Sequence, residues 1–218
     1  KAIKRSELYF WAKQYKDMPQ TNLFQAIVDL YLTNGLIYMI PIFFSNSILG
    51  FYAFSMRILQ APVSFVGSAI AQVFYQKATV SFHAKENLQP IVKQTIIKSS
   101  LIALPLPIIL IFLGPDLFAF VFSKSWRIAG VYSQILAPWI YFDFIRMTVS
   151  QLPIILYKQK HLLITSIIGG IALTASILVA GIVYNDILIG LYCSSAFLSI
   201  IAVYNTFWIY KISDNKNL

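Results

Sequence analysis

Cysteine, histidine and acidic side chains are all scarce in this chain of 218 residues: one Cys, two His, and 8 Asp or Glu against 17 Lys or Arg. A lone cysteine, Cys193, expected to lie buried mid-span, leaves no disulfide framework, thiolate metal cluster or redox pair. His83 and His161 fall in different loops without HExxH spacing and read as surface residues. No Walker-type or dinucleotide glycine loop occurs, and no G-x-S-x-G nucleophile turn. A membrane-surface glycosyltransferase would want an acidic pair facing a polar domain. Asp17 and Glu86 are isolated, and no such domain is present. The chain therefore reads as a non-enzyme that needs no cofactor and no metal.

Charge is sparse as well. Only 11% of residues are ionised, with a net charge of +9, against about 25% charged in a soluble domain. A basic balance can signal nucleic acid, but here the bases stand between apolar runs and not on a polar domain, so no nucleic-acid partner is expected.

What the chain has in abundance is apolar length: 58% hydrophobic residues and a mean hydropathy of +0.71. Six runs, 23–45, 49–75, 96–114, 131–156, 162–183 and 187–210, can each cross roughly 30 Å of hydrocarbon as a helix. The breaks carry turn chemistry: SNS at 45–47, a polar stretch at 76–94, YKQKH at 157–161 and YND at 184–186. Pro41, Pro62, Pro105, Pro107, Pro138 and Pro153 fall inside the runs and are expected to kink them without ending them. The expected fold is an all-α polytopic membrane protein with six transmembrane helices.

Orientation follows from the bases. Alternating spans put Lys1, Lys4, Arg5, Lys13, Lys16, Lys77, Lys85, Lys93, Lys158, Lys160, Lys211 and Lys216 on one side, and only Lys124 and Arg127 on the other. By the positive-inside rule the basic side is cytoplasmic, with both ends of the segment on it. Residues 1–22 read as a cytoplasmic interfacial segment, in which SELYFWAKQYK forms a short helix stopped by Pro19. Residues 23–210 form the membrane lobe and 211–218 a cytoplasmic tail. The chain starts at Lys1, not at methionine, and is expected to be a piece of a longer protein.

Ionised groups inside spans are costly and therefore informative. At 100° per residue, Arg57, Gln60, Ser64, Ser68, Gln72 and Tyr75 share one narrow face of the second span, with Gly50, Ala53, Ala61 and Ala71 beside them. Such a stripe faces protein or water and not lipid; its small residues alone would equally suit close helix packing. In the first span Asn22, Gln25, Asp29 and Thr33 group together, with Asn34 off that face. In the fourth, Tyr132, Asp143, Arg146 and Ser150 do, and Asp143 can pair with Arg146 three residues on. The last two spans hold no charge and read as packing or lipid-facing helices.

The stretch GFYAFSMRILQAPVSFVGSAIAQVFYQ at 50–76 resembles the eighth span of oligosaccharide-lipid flippases, with its glycine, Tyr-Ala, arginine and proline in order. SWRIAGVYSQILAPWIYF at 125–142 resembles the outer loop entering their tenth span, and YKDMPQTNLFQAIVDLYLTNGLIYMIPIFF at 15–44 the entry to their seventh. The family is the polysaccharide-export branch, O-antigen flippases included, of the multidrug/oligosaccharidyl-lipid/polysaccharide exporter superfamily. The resemblance implies two six-helix lobes around a central cavity in the bacterial inner membrane. This chain corresponds to the C-terminal lobe, and the N-terminal lobe is the implied partner. The implied substrate is an oligosaccharide linked to a polyprenyl pyrophosphate. Arg57 and Arg146 would hold its diphosphate, and Gln60, Ser64 and Gln72 its sugars. Asp143 and Asp29 are the acids that the resemblance leaves for ion coupling. A peptidoglycan-precursor flippase, a multidrug antiporter of the same superfamily and a non-transport membrane scaffold remain the alternatives.

Overall fold

A computed structural model describes residues 17–214, with side chains from Leu23 onward except that of Thr33. The expected interfacial helix at 6–16, the end of the tail, and the side chains of Asn22 and Thr33 lie outside the described residues. Those described are almost wholly helical, with no strand among them: α1 (Asp17–Phe43), α2 (Asn46–His83), α3 (Gln89–Ala103), α4 (Pro105–Phe122), α5 (Arg127–Val149), the short α6 (Leu152–Ile155), α7 (Lys160–Val179) and α8 (Ile187–Ile212). A 3-10 turn, Lys124–Trp126, leads into α5, and a π turn, Ala180–Tyr184, closes α7.

Five helical stretches are long and apolar enough to span a membrane, and the two halves of α1, Leu23–Leu32 and Asn34–Phe43, bent by 45°, supply a sixth. The turns form where the polar breaks stand. Ser45 caps α2 by accepting from the Ile48 amide at 3.4 Å. Asn185 turns the chain in the left-handed region, and Asp186 caps α8 by accepting from the Leu188 amide at 2.9 Å.

The prolines behave in two ways. Pro41, Pro62 and Pro138 lie inside continuous helices, as expected. Pro105 and Pro153 instead occupy the first turns of new helices, but the spans run on across both breaks, as Gln89–Phe122 and Lys124–Ile155, so these prolines interrupt the helix without ending the span. A proline has no N–H to give and its ring collides with the preceding turn, and the first turn of a helix is where neither matters. The third crossing is thus two helices, α3 and α4, which continue past Gly114 to Phe122. The polar 76–94 stretch is mostly helical too: α2 runs on to His83 and α3 begins at Gln89.

Helix α5 is the hub, packed against α4, α2, α8 and α3, while α7 packs on α8 and α1 on α7. In hydrocarbon the hydrophobic effect does not hold helices together, so close approach and hydroxyl bridges must. Both are present. Ser55 Oγ of α2 lies 2.7 Å from the Ala129 carbonyl of α5, and Ser195 Oγ of α8 donates to the Ile135 carbonyl at 2.8 Å. Ser99 Oγ of α3 donates to Thr148 Oγ1 at 3.0 Å. Between α4 and α5 the backbones nearly touch: a methyl on Gly130 would sit 2.5 Å from the Gly114 carbonyl oxygen. By contrast, α1 and α2 meet only sparsely, and the polar side chains gather around that gap.

Candidate functional site

Three cavities follow α2. The first, about 650 Å³, lies toward the Ser45 end and is lined by Arg57, Gln60 and Ser64 of α2 with Asn34 of α1, Tyr52 and Trp126. Arg57 is exposed there and makes no ion pair or hydrogen bond with a described residue. Because α2 begins at Asn46, Arg57 stands about 16 Å along the helix, deeper than the run beginning at residue 49 implied. Ser64 donates its hydroxyl back to the Ala61 carbonyl at 3.1 Å, which leaves its lone pairs to face the cavity.

The second cavity, about 270 Å³, shares Gln60 with the first and reaches α1, α5, α7 and α8. It joins Asp29 of the first span to Asp143 and Arg146, which the sequence places together on the fourth. Arg146 binds Asp143 through Nε and a terminal nitrogen at 2.8 and 2.7 Å, each side chain about 30% exposed. Asp29 lines the same cavity as the Arg146–Asp143 pair. Asp29 itself accepts from Gln25 Nε2 at 2.8 Å and from Ser166 Oγ at 3.3 Å. Here each of the three ionised groups has a partner within the site.

The third cavity, about 580 Å³, lies toward the His83 end between Ser68 and Gln72 of α2 and Ser150 and Gln151. Gln72 is therefore not brought together with Arg57. Tyr132, assigned to the face of Asp143, is instead buried in the core at 3% exposure.

Several polar groups escaped the sequence reading. Thr165, Ser166 and Asn205 line the second cavity, so α7 and α8 are not merely packing or lipid-facing helices. Asn205 is 4% exposed, with its Oδ1 unpartnered among the described residues. Ser166 and Asn205 interrupt otherwise apolar runs, and that interruption was the available signal. Asn34, set aside as off the face, lines the first cavity because α1 bends just before it. Cys193 is exposed on α8 and not buried. His161 is no free surface residue either: its ring stacks on Trp208 with centroids 3.9 Å apart.

The fold and the cavities define the chain as a multi-pass helical membrane protein whose polar side chains converge between its helices. A family described as polysaccharide biosynthesis protein matches residues 11–130. The chain belongs to that family, and with it to the synthesis or export of polysaccharide. The match takes in Asp29, Arg57, Gln60, Ser64 and Gln72 and stops short of Asp143 and Arg146. No curated protein and no solved structure matches the chain.

Proposed function

We propose that this chain is one lobe of a flippase that moves an oligosaccharide on a polyprenyl pyrophosphate across the bacterial inner membrane, in concert with a second lobe. The observation that carries the reading is Arg57: a permanently charged guanidinium, deep in a span, with no ion-pair or hydrogen-bond partner among the described residues, facing a cavity that also holds Asn34 and Gln60. A lipid-linked sugar needs an anion-binding group for its diphosphate, amides and hydroxyls for its sugars, and a lateral opening for its tail. The sparse α1–α2 contact offers that opening.

Arg146 has a different part in this reading, because Asp143 already holds it. Protonation of Asp143 would remove the partner and release the guanidinium to an anionic head group, which couples proton uptake to substrate capture. Export of organic cations is the rival that one observation favours, since Asp29 and Asp143 outnumber Arg146 in the second cavity. An unpaired arginine next door opposes it.

The Arg57 series separates these readings. In the full-length protein, export per inserted molecule should vanish in Arg57→Glu, fall steeply in Arg57→Ala and persist in larger part in Arg57→Lys. Normal export in Arg57→Glu would refute anion binding, and improved extrusion of a cationic dye by that variant would favour the rival.

Orientation has its own test. With the basic face cytoplasmic, single cysteines at Lys85 and Lys160 in a Cys193→Ser background should be shielded from an impermeant thiol reagent in intact cells. Cysteines at Asn46, Lys124 and Asn185 should label. The reverse pattern overturns the topology.

A further inference from the structure

We infer that a second lipid site, separate from the polar cavities, holds an anionic phospholipid of the surrounding bilayer between α3, α5 and α8. The groove there has a volume of about 390 Å³ and is walled by Ile96, Ile97, Phe142, Ile145, Val203 and Phe207. It shares no lining residue with the three cavities described above, and its residues on α5 and α8 lie on other flanks than Asp143, Arg146 and Asn205.

Its polarity runs in one direction. Lys93 and Tyr210 sit within about 6 Å of the helix ends at the basic face, by rise along α3 and α8. Ser100 and Val203 lie about 14–16 Å in. That is the span of a phospholipid from its phosphate through the upper part of one acyl chain. The two hydroxyls within the apolar part are already spent: Ser100 donates to the Ile96 carbonyl and Thr206 to the Ala202 carbonyl, each at 2.8 Å. The interior is therefore fit for hydrocarbon.

At the mouth, Lys93 is exposed and makes no ion pair or hydrogen bond with a described residue. Charge complementarity thus selects an anion, and location selects a membrane lipid. Direct contact between α3 and α8 is slight, so a lipid seated here fills what protein does not.

The test is lipid binding by the purified full chain in nanodiscs of phosphatidylcholine with one fifth phosphatidylglycerol, read by native mass spectrometry. Wild type should retain one phosphatidylglycerol in preference to phosphatidylcholine. Lys93→Gln should reduce that preference about fivefold, from roughly 1 kcal/mol per basic side chain at an anionic surface. Lys98→Gln, which lies outside the groove, should leave it unchanged. Ser100→Trp, or Ile97→Trp should the first not insert, should fill the groove and abolish the retained lipid. Equal retention of both lipids by wild type, or equal losses in Lys93→Gln and Lys98→Gln, would overturn the site. So would retention undiminished by the tryptophan, or an isoprenoid phosphate in place of the phospholipid. None of these outcomes depends on transport, so the site stands or falls apart from the flippase reading.

Discussion

The first and second cavities sit side by side along α2 and share Gln60, yet they treat charge in opposite ways. The second gives each of its charges a protein partner: Arg146 pairs with Asp143, and Asp29 accepts hydrogen bonds from Gln25 and Ser166. The first leaves Arg57 without an ion-pair or hydrogen-bond partner among the described residues. A guanidinium inside a membrane helix is tolerated when water or an anion completes it. An ion pair such as Arg146–Asp143 needs neither. In the proposed reading, the cavity with an open valence receives a ligand, and the other senses or holds.

The comparison breaks most readily at Arg57. If that residue meets a diphosphate, its replacement by alanine removes a charge-assisted contact of about 1.5–3 kcal/mol, or roughly 10- to 100-fold in export per inserted molecule. Charge reversal should do worse. Loss of inserted protein with normal export per molecule would move Arg57 into the structural class that the second cavity represents.

A smaller and differently shaped effect is expected at Asp143 and Arg146. Arg146→Gln leaves a carboxylate partly buried without its cation and should lower the yield of inserted protein several-fold. Asp143→Asn combined with Arg146→Gln should recover most of that yield. If Asp143 is the coupling acid, the double variant inserts well but loses the dependence of transport on pH. Unchanged pH dependence in Asp143→Asn alone removes it from coupling.

The smallest effect belongs to Ser166. Its hydroxyl ties α7 to Asp29 and Gln25 of α1, and Ser166→Ala should cost about 1 kcal/mol. A thermal melt of the purified protein should therefore shift by only a few degrees, with Arg57-dependent export intact. Abolished export in a stable Ser166→Ala protein would place the second cavity in direct contact with substrate.

The features legible in the sequence were those governed by local chemistry. The turns at SNS and YND, the apolar runs and the stripe on α2 each follow from residue type and helical period. What escaped depended on neighbours. Pro62 and Pro105 look alike as prolines within apolar runs, yet α2 continues through one and a new helix begins at the other. Sequence period placed Asp29, Asp143 and Arg146 on their own helix faces but could not say that those faces meet. Ser166 and Asn205 were passed over because they carry no charge, although a polar atom buried in hydrocarbon is costly whether or not it is ionised. Cys193 went wrong for the opposite reason: mid-span in a membrane helix does not mean interior, since half of such a helix faces lipid.

The Gly114–Gly130 contact has a mechanical meaning. With no side chain between them, α4 and α5 cannot slide or roll past each other without backbone collision, and hydroxyl bridges fasten α2, α3 and α8 to the same post. These five helices form the stator of the lobe. The compliant part is α1, bent at mid-length and carried on α7. In the proposed reading, widening the lobe for a bulky head group would be a swing of α1 away from α2, across which little packing is lost, while its contact with α7 has to be kept.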